Sequence, residues 1–249
     1  MRNVNKIEKR EKINKIKTAR WVVFLLMLLA LVVLAVLDLL LGSVFYSPRE
    51  LFDGLMAGQE SSAYRILVYA RLPRMLAAIL AGTAFSLSGL ICQSALNNAM
   101  ASPSVLGTNA GAGFAVALFQ AFSGDPRLLP FAAFLGSLSA TFAACGAARA
   151  AGASRMTLIL AGVAISALFS AGTNTVAVLY PDALPGLRAF QLGGLSGITV
   201  KELFVPGIII AGCLVIALFC GTELEVLGLG DETSYSLGLD PTVFRYLFL

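Results

Sequence analysis

The chain has 249 residues, of which 58% are hydrophobic and 13% are charged, and its mean hydropathy is +0.85. A soluble domain of this length needs more charge to cover its surface, so the composition excludes that class and indicates a multi-pass membrane protein. Runs without Asp, Glu, Lys or Arg extend over 75–124, 156–181 and 203–222. Each run is long enough for at least one helix of about 20 residues across about 30 Å of hydrocarbon, and none alternates like a barrel strand.

The first 20 residues form a basic tail that holds eight of the 18 Lys and Arg residues. A basic tail directly before a span is typical of a cytoplasmic segment that fixes topology and contacts anionic lipid. A nucleic-acid-binding arm is the alternative, and we expect no nucleic-acid partner. The apolar stretch 21–41 is too long for a signal peptide and no small-residue cleavage site follows it, so we expect a retained first span.

Residues 21–249 form the predicted membrane domain, with six complete spans and a seventh that begins near Pro241 and continues into the final YLFL. The six spans are predicted at about 21–42, 75–96, 104–122, 128–148, 156–179 and 202–220. With the tail in the cytoplasm, 97–103, 149–155 and 221–240 are also cytoplasmic, and 43–74, 123–127 and 180–201 lie outside. Because a membrane protein rarely ends inside a span, we expect the chain to be incomplete at its C-terminus.

Small residues mark the second and third predicted spans. Gly107 and Gly111 form a GxxxG pattern on the third. On the second, small residues recur at steps of four, four and three: Ala78, Gly82, Ser86 and Gly89. Such faces let helix backbones approach closely in lipid, so the sequence predicts a compact bundle in which both helices are surrounded by protein.

The interiors of the spans contain few polar groups, and their only charge is Asp38 near the outer end of the first. An ion-driven carrier normally needs an intramembrane charge, so energy for transport is expected to come from another source. The chain has no His and no CxxC, which argues against a metal site or a disulfide framework. It also lacks a P-loop, a GxGxxG before a helix and any nucleophile–base constellation, so we expect neither catalytic residues nor a bound cofactor.

A specific pattern lies at 71–113, RLPRMLAAILAGTAFSLSGLICQSALNNAMASPSVLGTNAGAG, where Ser102-Pro103 predicts a helix start. The RLPR start, the glycine-rich span, Gln93 and the N-x-x-A-S-P-x-x-L-G loop resemble, in order, the signature region of the FecCD family. Three later stretches, at 158–174, 190–199 and 229–238, are also similar to the family. Four positions depart from its usual pattern: Ala99 stands for Pro, Phe190 for Trp, Gly194 for Ser and Ser234 for Ala.

Members of the FecCD family are the membrane permeases of ATP-driven importers for iron-siderophores, haem and vitamin B12. The resemblance implies an all-α bundle of the vitamin B12 importer permease type, with roughly ten spans in the full chain. It also implies a multi-pass protein of a prokaryotic cytoplasmic membrane, built into a dimer of permeases with two ATPase subunits and one external substrate-binding protein. ATP would be bound by the ATPase, so the permease is not itself an enzyme.

The acidic segment 223–240 carries five carboxylates and helix punctuation. Asp231 is a predicted N-cap, Gly238 a predicted stop, and Asp240-Pro241 a predicted start of the next helix. Short helices are therefore expected at 231–237 and at about 224–229. The resemblance implies that these are the coupling helices on which the ATPase pushes, with apolar anchors and acidic partners at Leu229, Gly230, Asp231, Glu232, Tyr235, Leu237 and Gly238.

The resemblance assigns two further groups of residues. Arg71 and Arg74 are expected to dock carboxylates of the binding protein, and interfacial anchoring is their alternative role. The expected lining of a path between two permease copies is Gln93, Asn109, Thr173 and Asn174, although each alone suits an interhelical hydrogen bond. Two other functions remain open, namely a secondary carrier or channel with its charged site further along the chain, and a membrane enzyme.

Overall fold

The computed structural model describes residues 2–249 except 42–45, 123, 153 and 196. Every regular element in this part of the chain is helical. The α-helices are α1 Arg2–Leu40, α2 Pro48–Ala57, α3 Ser62–Ile66, α4 Leu72–Leu96, α5 Thr108–Ala121, α6 Leu129–Ala150, α7 Arg155–Leu179, α8 Leu184–Leu192, α9 Val200–Phe219, α10 Gly221–Gly228, α11 Asp231–Ser236 and α12 Pro241–Phe248. The predicted all-α fold is confirmed.

Five helical stretches of the described residues are long and apolar enough to cross a membrane. They are Thr18–Leu40, Ser62–Leu96, Leu129–Ala150, Arg155–Leu179 and Val200–Phe219. These match five of the six complete spans that the sequence predicts. The second begins earlier than predicted because α3 continues through a π-helical turn at Leu67–Arg71 into α4. Pro73 lacks the N–H of a regular helical bond, and a π turn is one way in which a helix accommodates that loss.

The third predicted span, 104–122, is shorter than expected. Pro103 begins only a 3-10 turn, Pro103–Leu106, which ends at Gly107 in the left-handed region with φ +83°. The α-helix that follows, α5, has 14 residues and is therefore about 21 Å long, less than the hydrocarbon thickness. The glycine that sequence analysis assigned to helix packing is thus also the residue that breaks the helix.

The described residues form two compact units, one of 1–79 with 196–204 and the other of 80–195 with 205–249. In the first unit, α1 is the most apolar span, with a mean hydropathy of 3.1 over its best window. Arg71 fixes its end, because Nη1 donates to the carbonyl oxygens of Leu39 and Leu40 at 2.5 and 3.0 Å. Tyr46 lies under the same guanidinium, 5.7 Å from Arg71 Cζ to the ring centroid. A cation at a helix C-terminus satisfies carbonyls that have no partner within the helix.

The core of the second unit is built by α5, α6 and α7. Gly111 and Gly136 place the backbones of α5 and α6 in contact, since a Cβ on either glycine would lie 2.3 Å from the other's carbonyl oxygen. Gly162 on α7 contacts the backbone of Val105 in the same way. The predicted close packing of the third helix is confirmed. On α4, by contrast, a Cβ added at Gly82 or Gly89 would meet no described atom of another element within 4 Å, so the expectation that protein surrounds this helix is not met there.

Candidate functional site

The polar segment after α9 folds as the sequence predicts, with one exception. Helix α11 spans Asp231–Ser236 and ends at Gly238, whose φ is +83°. The N–H groups of Gly238 and Leu239 donate to the carbonyls of Tyr235 and Ser234 at 3.0 and 2.9 Å, which is a Schellman stop. Asp240 caps α12, because its Oδ1 accepts from the N–H of Thr242 at 2.9 Å. The predicted helix, its stop and the next start are confirmed.

The exception is Asp231, which is not the N-cap. Gly230 holds that position with φ +109°, and Asp231 is the first residue of α11. Its Oδ1 accepts from Arg155 Nη2 at 2.7 Å and from Arg245 Nη2 at 2.6 Å. The predicted capping role is therefore wrong, because two arginines distant in sequence bind the carboxylate more strongly than local amides would.

The two arginines belong to different helices and are both held in place. Arg155 begins α7, and Arg245 lies on α12 with only 2% of its surface exposed. Arg245 Nε also donates to the carbonyl of Ala95 near the end of α4, at 2.9 Å. In the orientation that satisfies both ends of its amide, Asn97 donates to Gly228 O at 2.6 Å and accepts from Arg155 Nη1 at 3.0 Å. We call Asn97, Arg155, Asp231 and Arg245 the ionic cluster.

Sequence reasoning assigned no role to Arg155 or Arg245. The position of Arg155 in the first turn of a helix is one local signal for such a role. A base there is unfavourable beside the helix dipole unless an acidic partner binds it. Arg245 is the only charged residue in the last nine residues of the chain, a stretch predicted to enter the membrane. Charges at such positions are normally paired.

Ser234, where the family usually has Ala, is explained by the structure. The residue is fully buried between α10 and α11, and its Oγ lies within hydrogen-bonding distance of the carbonyls of Val226 and Gly230, at 2.9 and 2.7 Å. The hydroxyl therefore helps to hold α11 against α10.

Other side chains of the segment point away from the protein. Leu229, Tyr235 and Leu237 are 62%, 58% and 61% exposed, and Glu232 is exposed as well. An open groove of about 450 Å³ lies beside them, lined by Ser154, Arg155, Met156, Leu229, Gly230, Asp231, Glu232 and Thr233. Apolar side chains exposed next to a groove are typical of a protein contact surface. Four of the seven predicted coupling residues, Leu229, Gly230, Asp231 and Glu232, thus line one groove, and the carboxylate of Asp231 is bound by the two arginines. Tyr235, Leu237 and Gly238 are exposed but do not line it.

A second cavity, of about 740 Å³, contains three of the four predicted path residues. It is lined by Phe85, Ser104, Asn109, Ala110, Ala112, Gly113, Ser166, Ser170, Thr173, Asn174, Phe190 and Gln191. The polar groups of this lining are hydroxyls and amides, and none of these residues is charged. Gln93 is not part of it. Thr173 is buried and donates to Phe169 O at 2.8 Å, so its hydroxyl is already satisfied within α7.

The two predicted docking arginines differ in exposure. Arg74 is exposed, whereas Arg71 is buried at 8% and donates to the end of α1 as described above. The geometry therefore gives Arg71 a structural contact that sequence analysis did not predict. It leaves Arg74 as the surface arginine of the pair.

Comparison with known proteins identifies the family of this chain. The model of the FecCD transport family matches residues 28–249, which is all of the chain except its first 27 residues. The chain belongs to the FecCD transport family. The FecCD chain is 36% identical over 209 residues to the ferric enterobactin transport system permease protein FepD of Escherichia coli (strain K12), covering 80% of this chain and 61% of that one.

Two further similarities extend the comparison of this FecCD protein. It is 35% identical to the vitamin B12 import system permease protein BtuC of Vibrio vulnificus (strain CMCP6), covering 84% and 62% of the two chains. A solved structure described as an inward-facing conformation of a metal-chelate type ABC transporter superposes with a TM-score of 0.75 at 25% identity, covering 91% of this chain and 70% of that one. The chain thus spans about three fifths of the length of these curated relatives.

Proposed function

We propose that this chain is the membrane-spanning permease of a binding-protein-dependent, ATP-driven importer of a metal chelate. The observation that carries the proposal is the match to the FecCD transport family over 28–249, together with relatives whose names describe permeases for ferric enterobactin and vitamin B12. The cargo class is an iron-siderophore or a related haem or corrinoid chelate. Two permease chains, two ATPase subunits and one external binding protein would form the complete importer in a prokaryotic cytoplasmic membrane, with the N-terminus of this chain inside.

In this proposal, the exposed face of the 229–238 segment contacts the ATPase. Leu229, Tyr235 and Leu237 supply the apolar area, and Glu232 faces bases on the partner. Well-packed apolar side chains with a charged rim are the usual anatomy of such interfaces. Asp231 instead binds two arginines of its own chain and acts from behind this surface.

The uncharged cavity next to α5 and α7 forms part of the path. Asn109, Thr173 and Asn174 would meet the cargo, and the absence of charge from the lining suits passage of a bulky chelate without tight binding. A secondary carrier would need a charged site, and no residue lining the described cavity supplies one.

Outside the membrane, Arg74 docks the binding protein. Charges at an interface rim mainly steer encounter and orientation. We expect Arg74→Glu to abolish uptake while the permease still assembles with its ATPase. Arg127→Glu, at another exposed arginine predicted to lie outside, is the matched control and should leave uptake intact. Normal uptake by the Arg74 variant would refute the docking role.

The first test of the proposed function is assembly with a partner ATPase. The full-length permease, co-expressed with its ATPase, should co-purify with it from detergent and hydrolyse ATP in response to the loaded binding protein. A permease that purifies without any ATPase, or uptake that collapses with the ion gradients instead of with ATP depletion, would favour the secondary carrier.

A further inference from the structure

Helix α11 lacks an apolar anchor of its own. It has six residues, and Ser234 is its one buried side chain. Tyr235, and Leu237 directly after the end of the helix, are exposed. A helix this short has no intrinsic stability in water. The backbone bonds to its flanking residues, the hydroxyl of Ser234 and the ion pairs of Asp231 together hold it in position.

The ion pairs of Asp231 lead to two different places. Arg245 fixes the carboxylate to α12 and, through Ala95 O, to the end of α4. Arg155 fixes the same oxygen to the first residue of α7. Asn97 accepts from Nη1 of Arg155, so both terminal nitrogens of this guanidinium are bound. The Asp231–Arg155 ion pair thus joins α11 directly to the N-terminus of α7.

Helix α7 is a suitable element to carry that displacement. It runs unbroken for 25 residues from Arg155 to Leu179 without a proline. Ser166, Ser170, Thr173 and Asn174 of the same helix line the large cavity. Thr173 lies about 27 Å along the axis from Arg155, at 1.5 Å per residue. One rigid helix thus connects the ionic cluster to the cavity wall.

We propose that Asp231 is a positioning residue for transport, which couples α11 mechanically to the cavity-lining helix α7 through Arg155. The inference rests on the proposed function, because it assigns the push on α11 to the ATPase. Arg245 holds the carboxylate in place, and Arg155 transmits the movement. Loss of the Asp231–Arg155 link leaves the ATPase contact surface of Leu229, Tyr235 and Leu237 intact but disconnects it from the path.

The test uses the full-length permease with its ATPase and binding protein in proteoliposomes, and measures ferric enterobactin or vitamin B12 taken up per ATP hydrolysed. Asp231→Asn should keep assembly and ATP hydrolysis while the uptake per ATP falls about fivefold or more, as expected for coupling between distant sites. The matched control is Glu225→Gln. It removes one negative charge from the same segment, at an exposed residue that has no ion pair among those described, and should leave the ratio unchanged.

Arg155→Gln separates transmission from folding. It removes the bonds of Arg155 to Asp231 and Asn97 and leaves the Asp231–Arg245 pair, so the buried Arg245 keeps its counter-charge. Its uptake per ATP should fall as in Asp231→Asn, and the double variant should be no worse than the poorer single variant, because both changes remove one shared interaction. Losses that multiply in the double variant would show two independent roles and overturn the proposal.

Each of the remaining outcomes also supports or refutes the proposal. If Asp231→Asn and Arg155→Gln lose the ATPase on purification, the ionic cluster only stabilises the fold of the contact surface and the proposal is wrong. If both assemble and transport with the wild-type ratio, the link does not transmit. If the wild-type complex hydrolyses no ATP and imports neither chelate, the proposed function itself fails, and the inference fails with it.

Discussion

The backbone contact between α5 and α6 gives a prediction whose size follows from the geometry. A Cβ at Gly136 would lie 2.3 Å from Gly111 O and 2.4 Å from the Cβ of Ala115. A carbon atom cannot approach an oxygen or carbon atom this closely, so Gly136→Ala must move the two helices apart by roughly 1 Å. Overpacking of this kind costs about 1–3 kcal/mol, against which the better helix propensity of Ala restores less than about 1 kcal/mol.

The assay is the apparent melting temperature of the detergent-solubilised permease. For a net cost of about 1–2 kcal/mol, at about 2–4 °C per kcal/mol for a chain of this size, Gly136→Ala should lower that temperature by about 2–8 °C. Gly146→Ala, ten residues further along α6 and with no neighbour within 4 Å, is the matched control and should melt at the wild-type temperature or slightly above it. If both variants melt like the wild type, α5 and α6 are not in backbone contact and the packing described here is wrong.

Three further variants test separate contacts. Leu237→Ala should weaken co-purification of the ATPase several-fold without lowering the melting temperature, because the Leu237 side chain is 61% exposed. The control is Leu218→Ala, at an exposed residue of α9, and an equal loss of ATPase from both variants would refute the contact. Arg71→Ala should speed amide hydrogen exchange at the last turn of α1, because that turn loses its two bonds to Arg71. The control, Arg74→Ala, should leave this exchange unchanged. Unchanged exchange in the Arg71 variant would contradict the capping of α1. Ser234→Ala should cost about 0.5–1.5 kcal/mol, measured by melting, since it removes a buried hydroxyl bonded to backbone carbonyls; a rise in melting temperature would show that the hydroxyl is not stabilising.

Local sequence signals predicted the elements whose cause is local. A long charge-free run predicted the span at about 156–179, where the structure has α7, Arg155–Leu179. Gly238 followed by Asp240-Pro241 predicted both the stop of α11 and the start of α12. In each case, the deciding interaction lies within a few residues or with the lipid itself. Such interactions can be deduced from one sequence.

The elements that sequence reasoning predicted incorrectly depend on distant partners. Asp is a residue type that is common at N-caps, but the carboxylate of Asp231 is bound by arginines 76 and 14 residues away. Likewise, Arg71 resembled a surface arginine until the structure placed the end of α1 beside it, 31 and 32 residues earlier in the chain. Pairings over such separations are set by the packing of whole helices. A single sequence gives no register for that packing.

In the proposed function, this FecCD chain moves a metal chelate with energy from ATP. The most direct measurement is chelate uptake into proteoliposomes that contain the full-length permease and its ATPase, with loaded binding protein outside and ATP inside. Ferric enterobactin, ferric citrate and vitamin B12 form the test panel, after the cargoes in the names of the relatives. We predict accumulation of at least one chelate that requires both ATP and the binding protein and persists when ion gradients are abolished. Uptake that proceeds without ATP, or that stops when the gradients are abolished, would contradict it.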